Sequence, residues 1–234
     1  MRILSIDTSG SICGAAVVDA TVGLLASAAV NVDALKGSHS VYLMTIIDSA
    51  LKEAGFQVSD IDAFAVVVGP GSFTGLRVGI ATINGLRYAT GKPAVGVSSL
   101  EALAWNFPFA AYPVCSIIDA RQGEVYGALL RWSDGGFKTI VEPQLFDIAD
   151  LLALKAFINE GRVIFTGNGA AAYKSQITTT LRDRALFLEA AHISPYVVGM
   201  LGIKQAARGE FSTELMPVYL KMPLAVEKLN SANL

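Results

Sequence analysis

The sequence predicts an α/β protein made of two similar halves, and three observations carry that prediction. Each half opens on closely spaced strand patterns and runs on into helical ones. Residues 63–69, AFAVVVG, form a continuous apolar run of the kind found in a strand covered on both faces. Glycine-rich turns, GPGSFTG at 69–75 and TGNGA at 166–170, stand where a strand pattern gives way to a helical one.

In chain order, RILSID (2–7), ICGAAVVD (12–19) and VGLLASAAV (22–30) read as three strands joined by short turns, an antiparallel meander. SHSVYLMTIIDSALKEAG (38–55) reads as a helix, with Ser38 placed to cap its start and Gly55 to stop it. After the strand at 63–69 a second helix is expected from Thr74 to Thr90, ended by Gly91 and Pro93, and then a strand at 94–98. The second half repeats the theme more loosely. Strands are expected at 113–119 and 124–132 around the turn ARQG, and a helix at 147–158. A strand entering a glycine turn and a helix follows at 162–173, and then a helix at 194–209 with Ser194 as cap and Pro195 at its first position. PVYLKMP (217–223) reads as extended. These bounds give a first subdomain over 1–99 and a second over 100–234, with the end of the chain expected to pack back on the first half.

Bulk properties limit what the motifs can mean. A chain of 234 residues can bury a substantial core. Its 18 basic and 20 acidic side chains leave a net charge of −2, which supplies no basic surface for strong nonspecific binding to nucleic acid. Cys13 and Cys115 lie in apolar strand-like runs far apart, the setting of buried free thiols. No stretch reaches the roughly 20 apolar residues of a membrane span, and the start, MRILSID, lacks an apolar signal region. The expected location is cytoplasmic.

The glycine turn fails the two best-known phosphate-loop patterns. A P-loop needs Gly-Lys-Ser/Thr five residues after its first glycine, and that position is Thr74 counted from Gly69 and Leu76 counted from Gly71; the stretch has no lysine. A dinucleotide fingerprint beginning at Gly69 and Gly71 wants its third glycine at 74, and Gly75 is one residue late. What survives is a strand, a turn open to close backbone approach, and helix amides able to face an anion. The candidate ligand-facing residues are therefore Asp7 and Thr8 after the first strand, Gly69, Gly71 and Ser72 in the first glycine turn, Asp119 after CSII, and Gly167 and Gly169 in the second. His39 and His192 have no Cys or second His at ligand spacing, so no metal site is expected. No Ser-His-Asp order supports a peptidase.

ILSIDTS near the start, GPGSFTGLRVG, DARQGEVY at 119–126 and PVYLK near the end together resemble the TsaB (YeaZ) family, in order and over nearly the whole chain. The resemblance implies an actin-like, sugar-kinase and Hsp70-type (ASKHA) fold, two subdomains each with a mixed sheet flanked by helices. It implies a non-catalytic subunit that binds the transferase TsaD and supports threonylcarbamoyl transfer to adenosine 37 of tRNAs reading ANN codons. The ATPase TsaE and the enzyme supplying threonylcarbamoyl-adenylate belong to the same machinery. tRNA is met only through the complex, and the chain alone is expected to form a homodimer. No cofactor is expected for the isolated chain, with ATP or ADP placed at the junction with TsaD. The catalytic paralogue carries His-x-x-x-His after the equivalent strand, where this sequence has Ser99 and Leu103; a hydroxyl and an isobutyl group cannot replace two imidazoles on a metal. The competing reading is an active ATPase or phosphotransferase of the same superfold working through Asp7.

In the family the N-terminal helices form the partner surface. The two helices here are apolar over more than the roughly 100° that one core needs. The residues expected at the interface are His39, Tyr42, Leu43, Ile46 and Ile47 on the first helix and Leu76, Ile80 and Ile83 on the second.

Overall fold

The computed structural model describes residues 1–187 and 192–221. The first sheet is built on the opening meander: β1 (Arg2–Asp7), β2 (Ile12–Asp19) and β3 (Gly23–Asn31), each antiparallel to the next. β4 (Ala63–Gly69) pairs parallel with β1, and β5 (Ala94–Ser98) pairs parallel with β4, giving the order β3-β2-β1-β4-β5. Parallel neighbours need crossover helices. α1 (His39–Ala54) and α2 (Phe73–Thr90) supply them; α1 lies over β2 and β3, and α2 over β4.

Both helices stop at glycines in the left-handed conformation, Gly55 at φ 76° and Gly91 at φ 70°. α2 begins with the Ser72 side chain accepting from the Gly75 amide at 3.2 Å. After β5, α3 (Ser99–Ala104) leads away from the first sheet.

The second sheet repeats the first. β6 (Val114–Arg121) and β7 (Glu124–Ser133) form a hairpin, β8 (Gly136–Asp147) adds antiparallel to β7, β9 (Val163–Thr166) pairs parallel with β6, and β10 (Ala185–Phe187) parallel with β9. The order β8-β7-β6-β9-β10 therefore matches β3-β2-β1-β4-β5 strand for strand. β8 has no counterpart in the sequence reading, because Pro143 and three charged or amide residues, Lys138, Glu142 and Gln144, blur its alternation. The helix expected over 147–158 is broken at Leu154, whose ψ of 135° is extended, into α4 (Ile148–Ala153) and α5 (Lys155–Asn159). α6 (Asn168–Ala172) and α7 (Lys174–Leu181) complete the crossover.

Alternation along β1 sends Leu4 and Ile6 to one side of the first sheet, into a core with α1 and α2, and Ile3 to the other. That second face is covered by α8 (Pro195–Ala207), near the end of the chain, whose Val198 and Leu201 meet Ile3, Ala65 and Val67. Gly202 makes the approach possible, since a Cβ there would lie 2.7 Å from the Cβ of Ala65. The Ser5 hydroxyl donates to the Pro195 carbonyl at 2.7 Å and pins the helix start. Conversely α3, which follows the first sheet, packs its Leu100 and Ala104 on the second sheet against Val114 and Leu130. The second subdomain thus runs from α3 to β10, while α8 and the segment after it return to the first sheet; residues 222–234 of the expected tail lie outside the described residues.

Candidate functional site

The equivalent strands β1 and β6 end facing each other across a cleft of about 750 Å³. Asp7, the last residue of β1, and Asp119, two residues before the end of β6, both line it. Each folds its chain in the same way: Asp7 Oδ1 accepts from the Ser9 amide at 2.9 Å, and Asp119 Oδ1 from the Arg121 amide at 2.8 Å. Asp7 also accepts from the Ser9 hydroxyl at 2.7 Å, and Asp119 from the Tyr173 phenol at 3.1 Å. Complete burial pushes the Asp7 carboxyl up to about 6 despite the bonds from Ser9, which pull it down.

The first glycine turn forms one wall. Gly71, Ser72, Phe73 and Thr74 line the cleft at the start of α2, and the Ser72 amide donates to Ser9 O at 2.8 Å, joining this turn to the loop after β1. On the opposite wall Asn168, at the start of α6, accepts from the Asp119 amide at 3.0 Å. His39 reaches Gly10 O at 2.9 Å and His192 stands at the rim. Among the described residues no group of three metal-ligating side chains comes together.

Several expected site residues support the walls instead. Thr8 is fully buried and donates to Gly75 O at 2.7 Å. Gly69, at φ 122° before a cis proline, leaves room for Val218 O, which a Cβ would approach to 2.8 Å. Gly167 and Gly169 admit the Ile117 carbonyl, at 2.2 and 3.0 Å from their virtual Cβ atoms. Ser9, Arg121, Tyr126 and Asn168 line the cleft without having been expected there. The signal that would have found Asn168 is its place between the two glycines that must pack against Ile117.

The expected interface residues need a larger correction. Leu43, Ile46, Ile47, Ile80 and Ile83 sit in the core beneath α1 and α2, and Leu76 in the core on the other side of the sheet, all at most 5 % exposed. Tyr42 is half-buried against the same core. The wide apolar stripe is used inside the domain, because α1 and α2 each meet the sheet and also touch one another. What faces solvent is a different set: Val41 and Met44 on α1, and Ala81, Gly85, Tyr88 and Ala89 on α2.

The cysteines are free and buried; burial, and then the Asp7 charge, push the Cys13 thiol up to about 11, and burial raises Cys115 as well. No described helix is long and apolar enough to cross a membrane.

A family model described as TsaD, tRNA N6-adenosine threonylcarbamoyltransferase, matches residues 33–223. The chain is 30% identical to the tRNA threonylcarbamoyladenosine biosynthesis protein TsaB of Escherichia coli, with 98% of each chain covered. It is 29% identical to that of Bacillus subtilis, with 97% of each covered. The chain belongs to the TsaB family. The structure of YeaZ from Pseudomonas aeruginosa superposes at a TM-score of 0.77 with 27% identity, over 94% of this chain and 99% of that one. At fold level, the 2-hydroxyglutaryl-CoA dehydratase component A of Acidaminococcus fermentans superposes at 0.51 with 13% identity, over 88% of this chain and 99% of that one. The duplicated sheets are those of the actin-like, ASKHA fold.

Proposed function

We propose that this TsaB-family chain acts in tRNA threonylcarbamoyladenosine biosynthesis as a non-catalytic subunit that binds TsaD. The observation that carries the reading is the wall made by α3. Where the resemblance puts the transferase's two histidines, Ser99 is fully buried with its hydroxyl donating to Pro70 O at 2.5 Å, and Leu103 lines the cleft at 2 % exposure. A hydroxyl already committed to a carbonyl and a hydrocarbon side chain offer a metal nothing.

The cleft is also a poor polyphosphate site by itself. Asp7, Asp33 and Asp119 face it against Arg121, so nucleotide phosphates would meet a mainly negative lining. The proposal therefore places ATP or ADP at the junction with TsaD, where the partner or a divalent cation supplies positive charge. TsaE joins that assembly, tRNAs reading ANN codons are bound through it, and the chain by itself pairs with a second copy in the cytoplasm.

The proposed TsaD surface is the exposed face of α1 and α2, centred on Met44 at 56 % and Tyr88 at 94 % exposure. The test is reconstitution of threonylcarbamoyl transfer from TsaD, TsaE, the adenylate-forming enzyme and this chain. Transfer should require the chain, be absent with the chain alone, and be lost with Met44→Glu or Tyr88→Glu at an unchanged melting temperature. Full transfer with both variants would put the interface elsewhere; full transfer without the chain would end the subunit reading.

One observation favours the phosphotransferase alternative: a buried carboxyl with a raised pKa beside the start of α2, the setting of a catalytic group. ATP hydrolysis by the lone chain that disappears in Asp7→Ala would establish it.

A further inference from the structure

We propose that residues 212–221 are a strap that locks the two domains and the glycine turn in one arrangement, with the Lys221–Glu124 ion pair as its clasp. After α8 the chain runs back along α2 in the opposite direction, and one face of that helix receives it. Arg87 donates to the carbonyls of Ser212 and Thr213 at 3.2 and 3.4 Å, Asn84 to that of Leu215 at 3.3 Å, and Arg77 Nε to the Tyr219 hydroxyl at 3.0 Å. Positions 77, 84 and 87 share a helix face, so α2 carries a polar row matched to an extended chain.

The other side of the strap meets the sheet. The Ser212 amide donates to Ala94 O at 2.9 Å and the Val218 amide to Val68 O at 2.8 Å. Leu215 enters the first core at 3 % exposure. Most of this recognition is through main-chain groups; the side chains that hold position are Ser212, whose hydroxyl accepts from the Gly96 amide at 3.3 Å, Leu215, Tyr219 and Lys221.

The strap then reaches from one domain to the other. On the first domain Tyr219 packs its ring 5.3 Å from that of Phe73, which lines the cleft and also lies under the Arg77 guanidinium at 3.8 Å. On the second domain Lys221 Nζ donates to Glu124 Oε2 at the start of β7, two residues before Tyr126 of the opposite wall. With side chains 17 % and 31 % exposed, this pair is better shielded than an open surface bridge. Widening the cleft must therefore break the clasp or peel the strap from α2. Because Val218 bonds to Val68 and packs on Gly69, peeling also frees the glycine turn.

The strap is tested on the full-length chain alone, by amide hydrogen exchange, so its outcome does not depend on the TsaD reading. Lys221→Ala and Tyr219→Ala should each speed exchange at 66–76 and 212–219 by about tenfold or more while β1 and β6 keep their protection. The exchanged pair Lys221→Glu with Glu124→Lys should restore protection where Lys221→Glu alone does not. Unchanged exchange in both alanine variants, an equal speed-up throughout β1 and β6, or failure of the exchanged pair to restore protection would overturn the proposal.

Discussion

Asp7 carries a cost that its position explains. The carboxyl is 2 % exposed and faces the cleft, held by the amide and the hydroxyl of Ser9. Its rise from the ordinary 3.8 to about 6 means that between those values the folded chain holds a proton that the unfolded chain releases. Stability therefore falls as pH rises through this window, by roughly 3 kcal/mol once both states are ionised. Asp7→Asn should accordingly melt higher than the parent at pH 8, and most of the difference should be gone by pH 4, as followed by thermal denaturation across pH. A gain undiminished at pH 4 would assign the effect to packing. Two glycines of α2 show the same dependence on surroundings. A Cβ on Gly75 would lie 1.9 Å from Thr8 O, a backbone atom that cannot yield, whereas Gly85 has nothing within 4 Å. Gly85→Ala should stabilise the lone chain by about 1 kcal/mol through helix propensity, and Gly75→Ala should destabilise it despite the same propensity gain. Denaturant titration of both variants decides this.

For α1 and α2, the decisive quantity is which face each apolar side chain occupies. Ile83 is fully buried and Ile46 is 5 % exposed, so Ile83→Glu or Ile46→Glu buries an unpaired carboxylate at a cost of about 3–5 kcal/mol. Both variants should unfold or melt far lower, while Met44→Glu and Tyr88→Glu should melt like the parent; circular dichroism during heating separates the two groups. β8 shows the same limit from the strand side. Its alternation is poor, yet β7 leaves a free edge and the duplicated topology demands a strand in the place that β3 holds in the first sheet. The repeat, applied strand by strand, would have located it.

Across the whole molecule, the near balance of charge argues that tRNA contact needs a partner. With a net charge of −2 the lone chain should show no binding of tRNA in filter retention at physiological salt, because too few counterions would be released. A salt-sensitive micromolar complex would contradict this. The two domains are tied by exchange of elements: α3 leaves the first sheet to cover the second, and α8 returns to cover the first. This arrangement fixes the cleft, which Asp7 and Asp119 both line although they are far apart in sequence.

The sequence by itself determined the α/β class, the first meander, the two crossover helices of the first half with their glycine stops, and the family, since these rest on local periodicity, turn residues and short motifs. It also singled out Asp7, Gly71, Ser72 and Asp119, because strand ends and helix starts are local features that point at clefts in this class of fold. Tertiary structure alone decided which apolar face of α1 and α2 is core and which meets solvent, that Thr8, Gly69, Gly167 and Gly169 serve packing, and that residues 212–221 bond to both domains. Those outcomes depend on which surfaces are brought together over long separations, and hydrophobicity in a helix records that a side chain is covered without recording what covers it.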